Sequence, residues 1–278
     1  MSRGARVGAL LLVVGALACG RGKSEGSTSY PSAVATAPDA GPEHSKTRST
    51  TEATASSTAS PRESSPPTSS AAPPPPRRAY RVAALGDSIT DARVGGGGYL
   101  KLLEKHCPES RFENFGKGGD MTNQMRRRFE SEIVPRASEF DTLLFYGGVN
   151  DLYSDETAGR TNARIEHDVR AVFLRAKELG LRVVVLTVSP WGGLRRWFSE
   201  KRGESTRLLN GWLLGLPFET PSPLVDVVVD TYPLLSCGVP THLCPEYQRK
   251  VPDGIHPGPK GHEILGQAVL ERAFSDCR

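Results

Sequence analysis

Serine 88 stands in Gly86-Asp87-Ser88-Ile89-Thr90, directly after the apolar run Tyr80 to Leu85. A serine hydroxyl is a weak nucleophile until a positioned base takes its proton, and histidine suits that task near neutral pH. The base works best when an acid holds its correct tautomer. Asp253-Gly254-Ile255-His256 offers such an acid and base within one turn. Acyl chemistry also needs donors aimed at the oxygen that turns negative. Gly119, in Asn114-Phe115-Gly116-Lys117-Gly118-Gly119-Asp120, offers a backbone N–H, and Asn150, in Gly148-Val149-Asn150-Asp151, offers a side-chain amide. Each residue has a plainer reading. Ser88 can cap a helix, Gly119 can permit a bend, Asn150 can belong to a turn, and Asp253 and His256 can belong to a solvated loop. Asp87 and Asp91 are alternative acids, but a partner three residues before His256 can meet its ring across one turn, which favours Asp253. His262 and Glu263 are expected to be solvated or structural.

The elements that must position these residues alternate between strand and helix patterns, which predicts a parallel sheet covered on both sides. Strands are expected at Tyr80–Leu85, Arg111–Asn114, Thr142–Tyr146, Arg182–Thr187 and Leu224–Val229, a five-stranded sheet. Helices are expected at Tyr99–His106, Met121–Pro135 and Pro259–Phe274. A further helix is marked by Ile165, Val169, Val172, Phe173 and Ala176 at helical spacing and by Gly180 at its end. Ser88, Gly119 and Asn150 then follow the first three strands, and all lie at one sheet edge, where open α/β sheets bind ligands. Gly95-Gly96-Gly97-Gly98 lacks the GK[ST] ending of a phosphate loop and is expected to form a mobile rim of the site.

Four islands in this order resemble the SGNH (GDSL-type) hydrolase family over residues 80–274. Gly86-Asp87-Ser88-Ile89-Thr90 is similar to its first block, Asn114-x-Gly116-x-x-Gly119-Asp120 to its second, Gly148-Val149-Asn150-Asp151 to its third and Asp253-Gly254-Ile255-His256 to its last. The resemblance implies a three-layer α/β/α sandwich of flavodoxin-like topology. It implies a Ser88, His256 and Asp253 triad, with an oxyanion hole from Ser88 N–H, Gly119 N–H and the Asn150 amide. It also implies hydrolysis of carboxylic esters through an acyl-enzyme, with no cofactor. The GxSxG elbow of α/β-hydrolases is absent. The family spans lipases, lysophospholipases, thioesterases and carbohydrate O-deacetylases. Trp191, Trp197 and Phe198, after the fourth strand, are expected either to line a sugar or acyl pocket or to steady a long loop. Short acyl esters on carbohydrate or envelope polymers are the expected substrates. The alternatives are a lysophospholipase or thioesterase for longer chains, or a non-catalytic glycan-binding lipoprotein.

The N-terminus points to export. Arg3 and Arg6 precede the apolar stretch Val7–Leu17, which is too short to span a bilayer and suits a signal peptide over residues 1–18. Gly15-Ala16-Leu17-Ala18-Cys19 resembles the lipobox of bacterial lipoproteins, with Cys19 lipidated and the protein held at the envelope by that anchor; Ala16-Leu17-Ala18 equally suits ordinary cleavage and secretion. Residues 19–78 are expected to be a linker, because beyond Cys19 the stretch is Ser/Thr/Pro/Ala-rich, with Tyr30 its only aromatic and Val34 its only large aliphatic. The catalytic domain is then 79–278. Of the formal charge of +4, residues 1–78 carry the whole excess, nine Lys/Arg against five Asp/Glu, so the domain is neutral and is not expected to bind nucleic acid. There are five cysteines. With Cys19 lipidated four remain, and Cys237–Cys244 and Cys107–Cys277 are the expected disulfides. Neither CxxC nor HExxH occurs, and His106-Cys107 and His242-x-Cys244 do not make a metal site. A monomer is expected.

Overall fold

Every second residue of the strands turns to the same side, and this alternation builds the two faces of the sheet. The computed structural model describes residues 77–277. The expected leader, Cys19 and the linker up to residue 76 lie outside the described residues. Five parallel strands, β1 (Arg81–Gly86), β2 (Arg111–Gly116), β3 (Thr142–Tyr146), β4 (Arg182–Leu186) and β5 (Val227–Val229), lie in the order β2-β1-β3-β4-β5. Ala83, Leu85, Leu143, Phe145, Val183 and Val185 face α2 (Thr122–Arg128), α4 (Asn162–Glu178) and α5 (Glu200–Gly215). Val82, Ala84, Leu144, Tyr146, Val184 and Leu186 face α1 (Gly98–His106) and α7 (Pro259–Ala273). Two short helices, α3 (Val149–Tyr153) and α6 (Thr231–Leu235), follow β3 and β5. The result is the expected three-layer α/β/α sandwich.

The register aligns the strand ends. Gly86 lies opposite Gly116 and Tyr146, Tyr146 opposite Leu186, and Leu186 opposite Val229. Every loop that leaves these ends therefore opens on one edge. The sheet reverses its winding between β1 and β3, and in this topology that crevice is the ligand site.

Three elements depart from the sequence pattern. The expected helix 121–135 is α2 followed by a π turn at Phe129–Ile133 and a 3₁₀ segment at Val134–Glu139. Pro135 cannot donate an N–H to continue an α ladder. The last strand is shorter than Leu224–Val229. The Asp226 carboxylate accepts the Val183 N–H at 2.7 Å, and ladder pairing begins one residue later. The helix α5 is unforeseen: Gly203, Gly211 and Gly215 weaken its pattern, although Thr206, Leu209 and Leu213 share one buried face.

Both expected disulfides form, Cys107–Cys277 and Cys237–Cys244. The first joins the residue after α1 to the C-terminal turn, beside the Arg78 N–H that donates to the Asp276 carbonyl.

Candidate active site

A tight turn carries Ser88 out of β1. A side chain at Gly86 would strike Thr90, and the Asp87 carbonyl accepts the N–H groups of both Thr90 and Asp91. The Asp87 side chain is buried and accepts the Ile89 N–H at 2.9 Å. Burial, reinforced by the carboxylates of Asp151 and Asp120, pushes its pKa up to about 7. The imidazole nitrogen of His256 pairs with Asp253 and not with this carboxyl.

Ser88 Oγ lies 2.7 Å from His256 Nε2, and His256 Nδ1 lies 2.7 Å from Asp253 Oδ2. Partial burial opposes ionisation of Asp253. The N–H groups of His256 and Ile255 and the imidazole outweigh it, and the carboxyl stays below its ordinary range. An ionised carboxylate can only accept, so Nδ1 carries the proton and Nε2 is left to accept from the serine hydroxyl. Asp253 Oδ1 accepts the N–H of Ile255 at 3.1 Å and of His256 at 2.9 Å, which locks this turn on itself. Gly254 is required there twice over. Its φ is +80°, and a side chain would meet the backbone of Gly193 and Leu194.

Gly119 has φ +81°, and no atom lies within 4 Å of where its Cβ would be. Among the described residues, neither its N–H nor that of Ser88 donates to a protein acceptor. Asn150 sits in the first turn of α3, is 4% exposed, and gives one amide hydrogen to the Asp120 carbonyl at 2.9 Å. The other is free to meet a ligand. Ser88, Gly119, Asn150, Asp253 and His256 all line one cavity of about 460 Å³, whose apolar side is built by Val94, Tyr153, Leu194, Trp197 and Ile255.

Two arginines invisible to motif reading hold these parts in place. Arg128 donates to Asp120 at 2.6 Å, to the Phe115 carbonyl at 2.8 Å and to the Gly86 carbonyl at 3.1 Å, so one guanidinium joins the ends of β1 and β2 to the residue that anchors Asn150. Arg160, 7% exposed, donates to Asp151 at 2.7 Å and to Asp168 at 2.6 Å, and Asp151 accepts the Thr122 N–H. Nothing in their sequence positions marked them, Arg128 closing α2 and Arg160 lying in the loop before α4.

Two expectations require correction. Trp191 is fully buried, donates from Nε1 to Thr206 Oγ1 at 3.0 Å and is closed by the edge of Phe198, so neither aromatic lines the cavity. Of that trio only Trp197, 39% exposed, does so. Gly95–Gly98 does not form a free rim of this cavity. Gly96 donates to the Asp91 carbonyl and Gly97 to the Ile89 carbonyl, and Gly96 packs against the Ser88 carbonyl, where a side chain would clash. Of the two readings expected for His262, solvated or structural, its burial fits the second. No group of three or more potential metal-ligating side chains occurs among the described residues.

The chain resembles solved structures over its described part. An acylhydrolase candidate from Bacteroides fragilis is 20% identical with a TM-score of 0.58, covering 73% of this chain and 92% of its own. A GDSL-like lipase from Bacteroides thetaiotaomicron is 18% identical with a TM-score of 0.55, covering 69% and 86%. A catalytic mutant of an acetylxylan esterase from Geobacillus stearothermophilus is 20% identical with a TM-score of 0.55, covering 69% and 93%. At such identities the likeness is one of fold. No curated protein matches the sequence. The profile of the GDSL-like lipase/acylhydrolase family matches residues 84–264, more than half of the chain and the whole span from β1 to the closing helix. The chain belongs to that family and is a carboxylic ester hydrolase of the GDSL/SGNH type.

Proposed function

We propose that Ser88, His256 and Asp253 hydrolyse short acyl esters carried on carbohydrate through an acyl-enzyme. The observation that carries this reading is the run of two 2.7 Å contacts, Ser88 Oγ to His256 Nε2 and Nδ1 to Asp253, opening on a cavity with unpaired donors. Ser88 Oγ attacks the ester carbonyl carbon while its proton passes to Nε2. The oxyanion is received by the Ser88 and Gly119 N–H groups and by the Asn150 amide. The C–O bond to the alcohol breaks, and the imidazolium gives its proton to that leaving oxygen. Water, deprotonated by the same nitrogen, then attacks the acyl carbon and frees Ser88. Asp253 keeps its charge throughout and steadies the imidazolium.

The acyl side of the cavity is bounded by Val94, Leu194 and Trp197, and Trp197 presents a partly exposed face of the kind that stacks on sugar rings. Acetylxylan esterases share the fold. With the leader-like N-terminus, the carbohydrate would be an envelope or extracellular polymer. The apolar wall also favours a second reading, longer acyl chains, which the same experiment separates. Nitrophenyl esters from acetate to palmitate should show a serine-dependent maximum at acetate or butyrate. Ser88→Ala should lower kcat by at least about 10⁴-fold with the circular dichroism unchanged. Undiminished turnover in that variant removes the assignment, and a maximum at palmitate moves the substrate to lipid.

A further inference from the structure

Behind the catalytic turn lies a second cavity of about 550 Å³ that the reaction above does not use. Its walls are the starts of two helices, Gly96 and Gly98 before and in α1, and Pro257, Gly258 and Pro259 before and in α7. It abuts the catalytic machinery on two sides, since Gly96 packs on the Ser88 carbonyl and Pro257 follows His256. Arg249 lines both cavities. Its guanidinium donates to the Val94 carbonyl at 3.1 Å, and this single strap forms a ridge between them.

The second cavity has unbalanced positive character. Lys101 and Arg249 line it, and among the described residues neither has a carboxylate partner. Glu263 is the one acid on its wall and is exposed, near Lys260. The first-turn N–H groups of α1 and α7 add the partial positive charge of two helix N-termini. Independently of these, His262 stands in the wall 5% exposed, and neither ring nitrogen has a hydrogen-bond partner. Its ring lies parallel to that of Tyr99 at 6.2 Å. Burial, together with Arg249 and His256, pushes its pKa down to about 4. It is neutral at pH 7 and keeps one donor and one acceptor unmet, a cost that a bound polar ligand would relieve.

We propose that this cavity is an anion subsite, with Lys101, Arg249 and His262 holding a carboxylate of an acidic glycan whose ester group occupies the catalytic cavity across the Arg249 ridge. The second clause rests on the esterase reading above; the binding of the anion does not. A carboxylate on the polymer and a small free anion share the chemistry the site recognises, and the test separates them.

The full-chain Ser88→Ala protein, which cannot turn over, is titrated calorimetrically with oligogalacturonate, with the same oligomer after carboxyl reduction, and with inorganic phosphate. The acidic oligomer should bind at least about tenfold more tightly than the reduced one, the worth of one charge-assisted contact. Lys101→Glu should erase that preference and Lys101→Arg should keep it; Lys101 is exposed, so neither change threatens the fold. Equal binding of the two oligomers, or an unchanged preference in Lys101→Glu, overturns the proposal. So does a Lys101-dependent phosphate signal without oligomer preference, because the anion would then come from solution. In the active protein, the kcat/KM ratio for acetylated oligogalacturonate over its carboxyl-reduced counterpart should favour the acid through KM and collapse in Lys101→Glu. If neither ester is hydrolysed, the pairing of this subsite with the catalytic cavity fails while the titration still decides the binding of the anion; the esterase reading itself stands or falls with the nitrophenyl esters.

Discussion

Trp191 and Trp197 stand six residues apart in the same loop, yet their surroundings assign them different work. Trp191 is surrounded by core side chains and its indole N–H is taken by Thr206. Trp191→Ala would leave a void the size of an indole, with an expected loss of about 3–5 kcal/mol in denaturant unfolding. Trp197→Ala should leave the unfolding curve within about 0.5 kcal/mol of wild type and instead raise KM on the best carbohydrate ester. The reverse pattern would put Trp191 in the site after all. Aromatic composition announced this loop in the sequence but not which ring turns inward, since that depends on where α5 brings Thr206. Ser88, Asp253 and His256 were legible because their partners are short-range or their motif spacing is local. Arg128 and Arg160 were not, because each gains its meaning only from carbonyls and carboxylates that the fold brings together.

At the scale of elements, the strand ends were the readable part. Apolar runs stop at glycines, and a parallel sheet brings those stops to one edge. What escaped reading is where pattern and backbone chemistry conflict: the π and 3₁₀ turns around Pro135, and the glycine-broken helix α5. The same strand ends also gather charge. Asp87, at the turn after β1, is buried near Asp120 and Asp151, from the turns after β2 and β3, and its pKa is raised to about 7. Between the ordinary value of 3.8 and about 7 the folded state therefore holds a proton that the unfolded state has released. Stability contributed by this group falls as pH rises through that window and stays low above it. Asp87→Asn keeps an oxygen for the Ile89 N–H and removes the titration. The melting temperature of the variant minus that of wild type should become more positive between pH 5 and pH 8, by an amount equivalent to at most a few kcal/mol. A difference that does not vary with pH would mean that Asp87 is charged throughout.

Across the whole molecule, the two disulfides divide the labour of restraint very unequally. Cys107 and Cys277 are 170 residues apart in sequence, so their bond encloses β2 to β5 and α2 to α7 in one loop. Cys237 and Cys244 are separated by 7 and close a local turn. That turn nevertheless touches the site's supports, since the Thr241 carbonyl accepts the Gly192 N–H at 2.7 Å in the loop that carries Leu194 and Trp197. In the chain-entropy account, opening the long loop costs about 5 kcal/mol and opening the short one about 2 kcal/mol. Cys107→Ala with Cys277→Ala should therefore produce the larger drop in unfolding free energy. With both pairs changed to alanine in turn, the short-loop variant should show the larger rise in KM relative to its loss of stability, because the 237–244 turn is hydrogen-bonded directly to the loop that carries Leu194 and Trp197. Equal stability losses would show that the unfolded chain is already restrained by residual structure. A rise in KM confined to the long-loop variant would break the link between the 237–244 turn and the cavity.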